Sequence, residues 1–132
     1  MKRILITLLV IIGIAIPVVF LLPKQSVKEA STKLTFAMIE SNIKNGATLY
    51  DVRTAEEYET SHFGGAINWS LENMTAGKLP DIAKSTEIYL YCRSGNRSAK
   101  AMTILKDAGF TNVTDLGGLS AVEAIGGQLA AK

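Results

Sequence analysis

The stretch Tyr91-Cys92-Arg93-Ser94-Gly95-Asn96-Arg97-Ser98 puts the chain's only cysteine beside two arginines, a glycine and two serines. A cysteine acts as a nucleophile through its thiolate, and nearby cations or free backbone N–H groups favour that form. The apolar run Glu87 to Tyr91 reads as a buried parallel strand, and Ser98 opens a helix through Ala108. Ligands of open α/β sheets bind between such a strand end and helix start. The helix start there offers unpaired N–H groups and about half a positive charge, so it welcomes anions. Gly95 permits the curvature of a cradle. Arg93 and Arg97 add permanent charge, and Arg97 can fork onto a planar or tetrahedral oxyanion. Ser94, Asn96 and Ser98 complete the ring of backbone donors. Cys92 at the mouth of this cradle is expected to ionise below the usual ~8.5 and to attack a bound anion. A buried structural cysteine at a strand end is the plain alternative. The two arginines and the glycine weigh against it.

Composition removes several other chemistries. The chain has 132 residues, the length of one ordinary domain. It is 48% hydrophobic and 20% charged, which excludes wholesale disorder. One cysteine excludes an intramolecular disulfide and a thiolate zinc cage, and one histidine excludes sites built from several imidazoles. No cofactor or metal is expected. Net charge is +2 with no basic run, so nucleic acid is not an expected partner.

The elements that must position the loop alternate between the two periods. Thr35 caps a helix with Phe36, Ile39 and Ile43 on one face and Gly46 as its stop. Ala47 to Val52 is a buried strand, and Thr54 caps a single helical turn. Gly64-Gly65 breaks the chain before a brief strand, Ala66-Ile67-Asn68. A short helix is expected over Leu71 to Leu79, a strand over Asn112 to Leu116 and a last helix over Leu119 to Ile125. Strands alternating with helices argue for an α/β domain on a parallel sheet.

The N-terminal composition is different. Ile4 to Leu22 carries no charge and follows Lys2 and Arg3. As a helix it would span roughly 28 Å, close to a bilayer core. Residues 1–23 therefore read as a signal peptide or an N-terminal membrane anchor, in contact with export machinery or membrane. The apolar run is longer than a usual signal core, and no convincing small-x-small site follows it, which favours the anchor. Residues 24–33 read as a linker and 34–130 as the exported domain. Either reading places that domain in a periplasm or on the outer face of the inner membrane.

Cys-x-x-x-x-Arg-Ser after an apolar strand resembles the active-site loop of rhodanese-type sulfurtransferases. Asp51-Val52-Arg53, Glu56-Glu57-Tyr58 and His62-Phe63-Gly64-Gly65-Ala66-Ile67-Asn68 are similar to that family's further signatures, in order and at family spacing. Gly109-Phe110, Asn112-Val113 and Gly117-Gly118 match its C-terminal part, so the resemblance covers about residues 34–125. It is most similar to the single-domain, periplasmic, phage-shock type. The implied fold is a rhodanese-like three-layer domain, a central parallel sheet flanked by helices, preceded here by one hydrophobic helix. Departures are Gly64 in place of proline, Ser61 in place of glycine and Val122 near the place of a tryptophan. They imply a looser turn and an altered choice of partner.

The implied chemistry is double displacement. A small anionic donor such as thiosulfate gives its outer sulfur to Cys92, and cyanide or a thiol then accepts it. Six residues from Cys92 to Arg97 is the loop length that the resemblance associates with sulfur transfer; one more suits phosphate or arsenate. Arg93 is expected at the entrance. Asp51 and Arg53 read as a buried ion-pair scaffold and His62 as a turn-ordering residue. Glu56, Glu57 and Glu59 read as a solvated face, and Trp69 and Tyr58 as core. Three other functions compete: an exported sulfur-carrier or redox-sensing module with little thiosulfate turnover, a phosphatase or arsenate reductase, and an inactive interaction domain. The loop length weighs against the second and the intact Cys92 against the third.

Overall fold

Two strands with opposite faces buried organise the chain. The structure, a computed structural model, describes residues 32–131. The expected signal or anchor of residues 1–23, and most of the expected linker, lie outside the described residues. In chain order the first elements are α1 (Phe36–Lys44), β1 (Thr48–Asp51), α2 (Ala55–Thr60), β2 (Ser61–Phe63), β3 (Ala66–Asn68) and α3 (Leu71–Thr75). They are followed by β4 (Ile88–Tyr91), α4 (Asn96–Asp107), β5 (Val113–Gly117), α5 (Leu119–Ala124) and β6 (Leu129–Ala131). Among the described residues, no helix is long and apolar enough to cross a membrane.

β3, β1, β4 and β5 form a parallel sheet in that order. Successive side chains of a strand point to opposite faces. Tyr50 and Val52 of the β1 segment, with Ile88, Leu90 and Cys92 of the β4 segment, join one core that includes Ala101 and Leu105 of α4. Leu49, Tyr89 and Tyr91 join the other core, which includes Phe36 and Ile39 of α1 and Val122 of α5. All four residues of β4 are buried, as the near-continuous apolar run of a doubly covered parallel strand requires. Full burial of each large aliphatic side chain in these cores contributes about 1.5–3 kcal/mol. The central parallel sheet flanked by helices is thus a direct product of the alternation.

Three expectations change. α3 ends at Thr75 rather than near Leu79, because Gly77 turns left-handed at φ +80°. α4 begins at Asn96, two residues before Ser98, because Gly95 enters it directly from a left-handed conformation. A second sheet escapes the sequence: β2 and β6 pair antiparallel, matching His62 with Ala130. Three-residue strands are too short to show a period, but Phe63 is fully buried and anchors this ribbon to the core beside α1.

Asp51 and Tyr91 are register partners on adjacent strands, so their side chains share a face. The Tyr91 hydroxyl donates to Asp51 Oδ2 at 2.7 Å. Arg53 donates to the same carboxylate from its backbone N–H at 2.9 Å, from Nε at 2.9 and 3.0 Å and from Nη2 at 2.6 Å. Nη2 also donates to the Ser61 carbonyl at 2.6 Å. Burial opposes the Arg53 cation, but its bond to Asp51 prevails and raises its pKa. Burial, reinforced by Asp51, pushes the Tyr91 phenol far above its ordinary value. Removing one partner of a buried ion pair leaves a bare charge, whereas removing both leaves none. Asp51→Ala should therefore cost about 3–5 kcal/mol, and a further Arg53→Met change should recover part of it. Urea unfolding of both variants checks this; a double variant less stable than Asp51→Ala refutes the coupling.

Candidate active site

Cys92 follows the last residue of β4, and its backbone N–H donates to the Gly117 carbonyl at 3.0 Å. That carbonyl is aimed by an irregularity in the sheet. Pairing of β4 with β5 runs Leu90 to Asp115 and then Tyr91 to Gly117, leaving Leu116 as the extra residue. Such bulges redirect backbone groups at a sheet's functional edge. Asp115 Oδ1 accepts the Gly117 N–H at 2.8 Å and fixes the turn.

The loop from Arg93 to Gly95 then folds back over the sulfur. Gly95, at φ +94°, is the residue before α4, and no side chain caps that helix. Its N–H instead donates to Cys92 Sγ at 3.0 Å. The thiol donates to Ser98 Oγ at 3.7 Å and the Ser98 hydroxyl to the Gly95 carbonyl at 3.1 Å; once the thiol ionises, that hydroxyl turns to the sulfur. Ser94 bridges to Gly118, and Leu119 N–H donates to the Arg93 carbonyl at 3.2 Å. A Cβ on Gly118 would lie 2.8 Å from the Arg93 carbonyl oxygen. Only glycine lets the β5–α5 turn support the loop at this distance.

This arrangement sets the protonation of Cys92. The residue is fully buried, and burial by itself pushes a thiol up. Hydrogen bonds from the Ser98 backbone and side chain, and from the N–H groups of Ser94 and Gly95, outweigh it and lower the pKa. A helix N-terminus with no acidic residue in its first turn adds its partial positive charge. Donors of the main chain therefore favour the thiolate form of the sulfur.

The other sequence-expected residues fall into three places. Arg93 and Ser94 are exposed on the loop, Gly95 is half-buried, and Asn96 is exposed as the first residue of α4. Asp51 and Arg53 form the buried pair at the end of β1, beside Tyr91 at the end of β4. His62 lies on β2, stacked on Tyr58 with ring centroids 4.0 Å apart, and its Nδ1 is 3.0 Å from the Tyr58 carbonyl. Beside the loop a cavity of about 350 Å³ is lined by Arg53, Glu57, Thr60, Ser61, Arg93 and Leu119. Among the described residues, no group of three or more His, Cys, Asp or Glu side chains is placed to hold a metal.

Arg97 has a partner within the chain. Its Nη1 and Nη2 donate to Glu57 Oε2 and Oε1 at 2.6 and 2.9 Å. The reading of Glu57 as part of a solvated face is corrected with it: this side chain is half-buried and paired. Its position had a local signal, the Thr54-x-x-Glu57 capping box, in which Thr54 Oγ1 accepts the Glu57 N–H and Glu57 Oε2 accepts the Thr54 N–H. The partner forty residues away had none. Hydrogen bonding to Arg97 holds the Glu57 carboxyl down to about 2, against an ordinary 4.5.

Two titrations follow from this geometry. Followed by thiolate absorbance, Cys92 should titrate below a free cysteine, and Ser98→Ala should move its midpoint upward. An unmoved midpoint would show that the Ser98 hydroxyl contributes nothing and leave the backbone N–H groups as the cause. Glu57 has a depressed folded pKa, so its stabilisation is complete above about 4.5 and is lost as the pH falls towards about 2. The stability gap between wild type and Glu57→Gln in urea should narrow across that window. A gap that stays constant would contradict the assignment.

The Rhodanese-like domain model matches residues 35–124. The chain is 39% identical over 72 residues to thiosulfate sulfurtransferase PspE of Escherichia coli, covering 52% of this chain and 67% of that protein. It is 43% identical over 88 residues to the chloroplastic thiosulfate sulfurtransferase 16 of Arabidopsis thaliana, covering 58% and 73%. It also matches the adenylyltransferase and sulfurtransferase UBA4 of Candida glabrata at 36% identity, over 56% of this chain. The match spans only 19% of that longer protein. Among solved structures, the Alr3790 protein from Anabaena superposes with a TM-score of 0.63 at 29% identity, covering 74% of this chain and 91% of the other. A rhodanese with anions from E. coli gives 0.53 at 32% identity, covering 65% and 99%. The cysteine loop thus sits on a sheet and within a sequence match that agree, and the chain belongs to the rhodanese-like domain family.

Proposed function

We propose that this protein is a sulfurtransferase that carries sulfane sulfur as a persulfide on Cys92. The observation that carries the reading is the ring of donors around Sγ. Main-chain N–H groups of Ser94, Gly95 and Ser98 lower the thiol's pKa despite full burial. Such preorganised donors stabilise the thiolate before attack and the persulfide anion after it. Relatives named as thiosulfate sulfurtransferases support thiosulfate as a donor.

In the first half-reaction the Cys92 thiolate attacks the outer sulfur of thiosulfate. A new S–S bond forms, the donor's S–S bond breaks, and sulfite leaves with the electron pair. In the second, cyanide or a thiolate attacks the outer sulfur of the persulfide, and the Cys92 thiolate departs. No proton transfer is needed when both nucleophiles are anionic, which fits a loop whose donors are backbone groups. Arg93, exposed on the loop and lining the adjacent cavity, draws anionic donors to the entrance. The charge-free run from Ile4 to Leu22 supports export, with the domain facing a periplasm.

Intact-mass measurement of the full chain after thiosulfate should show a gain of one sulfur atom. The gain should be removed by cyanide and absent in Cys92→Ser. No gain from thiosulfate would sink it as the donor. A stable gain without steady-state turnover would favour the carrier or sensor reading over the enzyme.

A further inference from the structure

We propose that Glu57 is a positioning residue that sets the charge of the sulfur donor: by holding both terminal nitrogens of Arg97, it makes the site favour singly charged persulfides over doubly charged oxyanions. The inference rests on the sulfur-transfer reading and ranks its donors, singly charged persulfides ahead of the dianion thiosulfate.

The geometry supplies three grounds. Arg97 lies in the first turn of α4, one residue before the Ser98 that contacts the sulfur. Both outer nitrogens of its fork are already committed, at 2.6 and 2.9 Å, to the two oxygens of one carboxylate. A tetrahedral dianion can take that fork only by breaking a paired, charge-assisted contact. Second, Glu57 lines the cavity beside the loop together with Arg53 and Arg93, so a donor entering there meets its carboxylate. Third, the charges around that cavity nearly cancel. Arg53 is matched by Asp51 and Arg97 by Glu57, while Arg93 forms no ion pair among the described residues. One uncompensated cation at the mouth matches one negative charge on the donor.

A persulfide of the form R–S–S⁻ meets that requirement. The Cys92 thiolate attacks its outer sulfur, the S–S bond breaks and R–S⁻ leaves, so charge and electrons balance without a further reactant. The side chains of Arg97 and Glu57 are 27% and 28% exposed, so the pair is open to a ligand and can be tested by one.

The test uses the full chain in neutral detergent, with sodium sulfate as the dianionic probe at constant ionic strength. Amide resonances of Gly95 and Asn96 report binding without any sulfur chemistry. Glu57→Gln keeps a residue able to complete the capping box, so α2 retains its start. It should tighten sulfate by about ten-fold, the scale of one charge-assisted contact regained. The double variant Glu57→Gln/Arg97→Gln should return affinity to near the wild-type value. In persulfide formation, kcat/KM for 2-hydroxyethyl persulfide, which carries a single negative charge, relative to thiosulfate should fall in Glu57→Gln by a similar factor. Sulfate affinity that is unchanged or weaker in Glu57→Gln overturns the proposal, as does a gain that survives loss of Arg97. The expected sulfate results with no persulfide on wild-type Cys92 from either donor would refute sulfur transfer, while leaving Glu57 in control of anion charge.

Discussion

A buried carboxylate must be matched by donors wherever it lies, and Asp51 imposes that requirement at the centre of this domain. It is fully buried at the end of β1 and receives Arg53 from its own segment and Tyr91 from β4. Arg53 then reaches the Ser61 carbonyl at the start of β2. Three segments are thereby held at one point, immediately before Cys92 leaves β4. An apolar cluster could supply as much stability, but it would not fix the direction in which each strand ends. Asn68 adds to the same point from β3, its side-chain amide donating to the carbonyls of Asp51 and Arg53 at 3.0 and 2.9 Å.

The thiol depends on that fixed exit. Tyr91 faces one core and Cys92 the other, so the change from ion-pair chemistry to sulfur chemistry takes a single residue. Burial and hydrogen bonding act on Cys92 in opposite directions, and the donors prevail because several converge on one sulfur. Their convergence needs a left-handed Gly95 and a β5–α5 turn close enough to brace the loop. The bulge at Leu116 supplies the alignment, presenting the Gly117 carbonyl to the Cys92 N–H.

Electrostatics at the mouth follow from a contact between helices distant in sequence. α2 is a short helix with no buried residue, and its capping box and the Arg97 pair give it polar ties. Partly exposed ion pairs contribute little stability in general, so the consequence of this one lies in what Arg97 is free to hold. The capping box also restrains the carboxylate that Arg97 meets, which lowers the entropy lost on pairing.

Much of this was legible in the chain itself. Short, near-continuous apolar runs in Ala47 to Val52 and Glu87 to Tyr91, with the caps at Thr35 and Thr54, were enough to specify parallel strands between helices. Cys92, its glycine and its arginines were readable because a loop of consecutive residues carries its own geometry. The partner of Arg97, the brace at Gly118 and the β2–β6 ribbon were not readable. Each joins segments far apart in the chain, and nothing in local composition records which distant backbone or carboxylate will be opposite. Sequence alone determined that the cysteine would sit between a strand end and a helix start; only the tertiary structure decided which charges surround it, because pairing across space depends on where the sheet brings its edges.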